Sequence, residues 1–269
     1  AKNANKQGDI ILDYITNILN AMALGLFGSL IVGLILEQTG KLVNVDMLVT
    51  FGQYAKLLMG PAIGVAVAFS VKAPLLGVFS AAVAGAIGAG TFTLLPVAKI
   101  GEPVGAMLAA LAGAEIAKLV GGKTKVDIIL VPVTTIIVGG VVGLYLAPSV
   151  ATFMKATGDL VNEATKLHPL PMGIAVSVLM GMILTAPISS AAIAISLGLS
   201  GLAGGAATVG CSAQMIGFAV MSYKENGFGG LIAQGVGTSM LQVPNIVKNP
   251  LIWIPPTLTS AILGPLSTM

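Results

Sequence analysis

The sequence predicts an all-α polytopic membrane protein: a helical bundle with one amphipathic interfacial helix and one re-entrant hairpin. Three observations carry that prediction. Of 269 residues, 56% are hydrophobic and only 9% are charged, against roughly a quarter charged in a soluble domain, and the mean hydropathy is +0.99. Apolar runs of the roughly 20 residues needed to cross a bilayer recur between short breaks that hold the charges and prolines. Thirty-five glycines, with many alanines, sit inside those runs, as expected where helices pack through small residues rather than through the hydrophobic effect. A surface with thirteen basic and ten acidic groups is too poor in charge to face water, so the lipid bilayer is the expected partner.

The same composition excludes several chemistries. The basic residues are all lysines scattered between apolar runs, which argues against a nucleic-acid groove. A single cysteine, Cys211, rules out an internal disulfide, and the single His168 has no partner for a histidine-based metal site. No metal and no cofactor is expected. The chain opens on a polar segment without an initiator Met and closes on an apolar stretch at Met269. No signal peptide is legible, and a piece of a longer protein is expected.

Taken in order, the spans are expected near residues 10–36, 47–70, 73–97, 103–121, 126–149, 172–198 and 202–223, followed by a broken region at 228–267. On the first span Asp13, Asn17 and Asn20 share one helical face. Lys56 reads as a snorkelling residue, and Glu115 and Lys118 as a pair that neutralise each other near a helix end. Lys118, Lys123 and Lys125 form the one basic cluster between spans, which favours a cytoplasmic loop there and a cytoplasmic N-terminus. Between 151 and 167, Phe153, Met154, Leu160 and Val161 interleave with Lys155, Asp159, Glu163 and Lys166. That pattern predicts an amphipathic helix in the headgroup plane, ended by His168 and the prolines at 169 and 171.

Polar groups at membrane depth are costly, so those that occur are candidates for function. Around Pro187, Ser189 and Ser190 stand inside an apolar run, and a kinked helix with freed carbonyls is expected. Ser212 and Gln214 lie in the small-residue span that follows. The segment from Gly229 to Pro256 carries four prolines and several amides, which leaves backbone groups unpaired. At membrane depth this is tolerated only beside protein or water. Thr238, Ser239, Gln242, Asn245, Lys248 and Asn249 are its candidate ligands for substrate, and all three breaks are expected to converge on one wet cavity.

Two blocks resemble a known family, the membrane-embedded EIIC component of the phosphoenolpyruvate-dependent phosphotransferase system. The helix at 105–118, with the basic loop and the Val-Pro pair at 131–132, is one. The Asn249-Pro-Leu-Ile-Trp-Ile-Pro255 block is the other. The chain is most similar to a divergent stand-alone group, the perfringolysin-regulator-like EIIC proteins, over essentially its whole length. The resemblance implies one EIIC-like domain over 1–269. Residues from 1 to about 150 would be interface-type helices, 151–171 an amphipathic linker, and 172–269 a substrate-binding core shortened at its C-terminus. It also implies a homodimer in a bacterial plasma membrane that moves a small polar solute by rigid-body alternating access. Sugar EIICs carry a Glu-Pro pair about eleven residues before the Asn-Pro, where this chain has Gly237-Thr-Ser-Met240. A sugar-like polyol and a small anion meeting Lys248 therefore both remain open as substrates. No nucleophilic Cys or His of a phosphotransfer domain is present, so transport, not phosphotransfer, is expected of this chain. The alternative is a membrane-embedded ligand sensor or regulatory protein using the same cavity.

Overall fold

The structure is a computed structural model that describes residues 2–91, 101–186, 190, 193–194 and 199–269. Helix is the only regular structure among the described residues. They form α1 (Lys2–Leu26), α2 (Val32–Val43), α3 (Asp46–Leu57), α4 (Met59–Ser70), α5 (Leu75–Ala89), α6 (Pro103–Val120), α7 (Asp127–Thr165), α8 (Pro169–Thr185), α9 (Gly201–Met221), α10 (Tyr223–Ile232), α11 (Val243–Lys248) and α12 (Ile254–Leu263). Among the described residues, four stretches are long and apolar enough to cross a membrane: Asp13–Val43, Pro103–Val120, Asp127–Leu146 and Gly201–Met221. The chain divides into two compact units, Ala1–Val150 and Ala151–Met269.

In the first unit α4 packs on α1, α5 and α6, while α2 folds back on α3. Close approach is possible because the contact residues are small. A methyl group on Gly85 would overlap the carbonyl oxygen of Gly60, so α4 and α5 meet backbone to backbone. The span expected over 47–70 is two helices, not one. Pro61 lacks an N–H, and its ring would clash with the carbonyl of residue 57 four positions earlier, where α3 ends. Lys56 does more than snorkel: it pairs with the buried Glu37, which also holds Lys41 at 2.7 Å. Sequence reading passed over Glu37, whose charge is tolerated in the hairpin because two ammonium groups face it. Glu115 accepts from Tyr14 Oη at 2.6 Å and pairs with Lys118 at 2.6 Å, as expected for that pair.

In the second unit α8 and α9 form the central pair, with Val176, Met180 and Ile183 of α8 buried against Ala206 and Ala207 of α9. Here too Gly210 leaves no room for a methyl against the backbone of Ser177. The amphipathic segment at 151–167 is not a separate helix. It is the C-terminal part of the 39-residue α7, with Val161 buried and Leu160 and Glu163 exposed. The expected broken element is present. After α10 comes a π-helical turn (Ala233–Gly237), an extended Thr238 (φ −159°, ψ 143°), a 3-10 turn (Ser239–Gln242) and the six residues of α11. A second break at Asn249 precedes a 3-10 turn (Pro250–Trp253) and α12.

Candidate functional site

The breaks in the second unit leave polar groups buried, and the side chains around them pair in a definite order. Thr238 sits where the π-helical turn ends, and its Oγ1 accepts the Met240 N–H at 3.1 Å, replacing a lost helical bond. That cap holds the 3-10 turn so that Ser239 and Gln242 point into the protein, both buried.

Two hydrogen-bonded chains leave this turn. In the first, Ser239 Oγ meets Thr185 Oγ1 at 2.7 Å, and Thr185 Oγ1 lies 3.2 Å from Gln214 Oε1. A hydroxyl has one proton to give. With the Ser239 O–H donating to Thr185, the Thr185 proton faces two acceptors at 3.2 Å, Gln214 Oε1 and the Gly181 carbonyl. Gln214 Nε2 then donates to Thr257 Oγ1 at 3.1 Å, and Thr257 donates to the Trp253 carbonyl at 2.7 Å. Thr185, Gln214 and Ser239 are all completely buried. In the second chain Asn245 Nδ2 donates to Gln242 Oε1 at 2.8 Å, Gln242 Nε2 to Gln234 Oε1 at 2.9 Å, and Gln234 Nε2 to Ser222 Oγ at 2.8 Å. The two chains tie α8, α9, the π-helical turn and α12 to one short segment.

Next to this core, Ser190 and Ser212 line a cleft of about 520 Å³ with Met180, Leu199, Thr208 and Cys211. Ser212 also lines an apolar groove of about 590 Å³ that includes Pro255 and Pro256. The candidates named from the sequence thus fall in three places. Ser190 and Ser212 face open volume, whereas Gln214, Thr238, Ser239 and Gln242 lie in the buried chains, with Asn245 at the exposed end of one. Lys248 and Asn249 are exposed at the end of α11, where Asn249 Oδ1 accepts the Leu251 N–H at 3.3 Å. Ser189 lies outside the described residues, as does Pro187.

Thr185, Ser222, Gln234, Thr257 and Trp253 complete the site, and sequence reading did not place them in it. The first four are partners of residues 12 to 54 positions away, a separation that no helical periodicity encodes. The Trp253 indole N–H is buried and has no partner among the described residues. Among the described residues of this unit, no buried polar side chain carries a charge. Asp159, Glu163, Lys166, His168, Lys224, Glu225 and Lys248 are all exposed.

A multi-pass helical protein with broken helices around a neutral polar core defines the class as a membrane transport component. The family described as Phosphotransferase system, EIIC, matches residues 16–269, and the chain belongs to it. Members of that family are transmembrane transport components, not the catalysts of phosphotransfer. No curated protein and no solved structure matches the chain.

Proposed function

We propose that this chain moves a neutral, hydroxyl-rich solute across a bacterial plasma membrane, with the second unit as its substrate-binding core. The observation that carries this reading is the buried amide and hydroxyl network around Ser239, built without any charged side chain. A neutral solute can exchange hydrogen bonds with such groups one for one, whereas a desolvated anion would need a compensating cation. Of the two substrate classes open from the sequence, the network supports the polyol over the small anion, because Lys248 is exposed on the surface of its unit. Three groups could meet a solute hydroxyl: the Ser239 oxygen and the Asn245 amide, at ends of the two chains, and the Trp253 indole N–H, which belongs to neither.

In this reading the first unit supplies interface-type helices, two copies of the chain assemble, and the core shifts as a rigid body to expose the site alternately on each side. Uptake into proteoliposomes, run with radiolabelled neutral sugars and polyols beside small anions, tests it. Saturable uptake of a neutral solute that is lost in Ser239→Ala is the expected result, and uptake confined to anions overturns it. The absence of a carboxylate at 237–240 favours a second reading, a sensor that binds the same solute. Saturable binding with no uptake in the same vesicles would select it.

A further inference from the structure

The first unit contains a second recess, remote in sequence from the polar core. A groove of about 690 Å³ runs between α1 and the turn joining α4 to α5, lined by Asn17, Asn20, Leu24, Phe69, Ser70 and Lys72 among others. Its polar residues gather at one end of the groove. Asn17 donates to the Ser70 carbonyl at 3.0 Å, and a Cβ on Gly25 would strike the backbone of Ile63. The two helices are therefore antiparallel, with Asn17, Ser70 and Lys72 at one end and Leu24 deeper. The candidate span begins at Asp13, so Asn17 lies about 6 Å and Asn20 about 10 Å along the axis from its start. Asp13, one turn before Asn17, does not line the groove.

Lys72 is the unusual residue. The Ala73 N–H donates to the Ala68 carbonyl and the Lys72 N–H to the Phe69 carbonyl, each at 3.0 Å. This is the paired closure that ends a helix on a left-handed residue, a position usually held by glycine. Lys72 holds it at φ 59°. A strained backbone at a non-glycine residue points to a demand on its side chain. No ion pair to Lys72 is found among the described residues. Phe69, level with Asn17, is 75% exposed and Leu24, about two turns deeper, is 58% exposed, apolar surface suited to an acyl chain.

We propose that this groove is a specific site for one anionic phospholipid. Its phosphate sits against Lys72, its glycerol ester region against the amides of Asn17 and Asn20, and an acyl chain against Leu24 and Phe69. The apolar wall selects a lipid over a free phosphate, because a small anion gains nothing from it.

Native mass spectrometry in mild detergent tests the site, titrating the protein with phosphatidylglycerol or phosphatidylcholine of identical chains. Phosphatidylglycerol should be retained about five-fold better, the weight of one lysine at an anionic surface. Lys72→Gln should abolish that preference and Lys72→Arg should keep it. Lys72→Gly, which relieves the left-handed backbone, should also abolish it and serves if the glutamine variant folds poorly. Lys123→Gln, on the loop between α6 and α7, should leave it unchanged. Equal retention of both lipids would mean that Lys72 only offsets the carbonyl end of α4, and would overturn the proposal. Equal loss in Lys123→Gln would reduce the site to diffuse surface attraction, and displacement by millimolar inorganic phosphate would make it a free-anion site. Either outcome also overturns it.

Discussion

At the scale of single residues, the polar side chains set in apolar runs were legible, but their partners were not. Gln214, Ser239 and Gln242 stand out in the sequence because amides and hydroxyls are expensive in hydrocarbon. Which groups satisfy them depends on how α8, α9 and α12 pack. This changes what substitution should do. In the sequence Gln242 and Asn245 are equivalent candidate substrate ligands. In the structure Gln242 bridges Asn245 and Gln234 and is buried, so its loss strands a carbonyl and an amide. Gln242→Ala should cost about 1–3 kcal/mol of stability, visible as a lower melting temperature, while Asn245→Ala, at the exposed end, should cost much less. Equal melting temperatures for both variants and the parent would contradict the network. Glu102 gives a pH test in the first unit. Its N–H donates to the Ala89 carbonyl, its Oε2 is buried with no partner among the described residues, and burial pushes its carboxyl from 4.5 up to about 7. A raised acid favours the folded state while protonated, so that contribution is present below about pH 4.5 and is lost as pH rises through 7. The melting temperature should fall between pH 5 and 8 in the parent, and Glu102→Gln should flatten that slope.

At the scale of elements, length and hydropathy located the helices, and local backbone chemistry decided where they stop. The run at 202–223 is α9 to within two residues: Gly201, at φ 53°, opens it, and Lys224 and Glu225 follow its C-terminal end. The run at 47–70 reads as one span by hydropathy, yet Pro61 divides it. Within the run at 73–97, α5 ends at Gly90, whose φ of 68° turns the chain out of the helix, and residues 92–97 lie outside the described residues. Amphipathicity at 151–167 was legible, but its continuity with the apolar helix before it was not, because a change of face composition does not by itself break a helix. Helix contacts between glycines were only partly legible, since thirty-five glycines do not announce which of them touch. The structure separates them. Gly85→Ala should cost about 1–3 kcal/mol through overlap with the Gly60 backbone. Gly229→Ala, with open space around it, should be neutral or stabilising by up to about 1 kcal/mol through helix propensity. Thermal melts of the two variants side by side would show whether backbone contact, rather than glycine content, holds α4 to α5.

For the whole molecule, the fold class rests on one physical fact, that too few charges exist to cover a water-facing surface, and nothing about packing was needed to see it. Orientation rests on less, but it can be argued from the same charges. Counting lysines over all the loops from the sequence gives nearly equal numbers on the two sides. The exposed turn between α6 and α7 differs from the rest, with Lys123 and Lys125 beside the Lys118 end of α6. It is also ordered: Asp127 accepts the Thr124 N–H at 3.0 Å, fixing the turn rather than leaving the lysines on a long tether. Near an anionic cytoplasmic leaflet each such lysine contributes about 1 kcal/mol, so the lysines of this turn outweigh any other loop. The turn should therefore face the cytoplasm. The single natural cysteine makes the test clean: in a Cys211→Ser background, Thr124→Cys should resist a membrane-impermeant maleimide in intact cells and label fully once the cells are permeabilised. Labelling in intact cells would place the turn outside and reverse the orientation of the helices on either side of it.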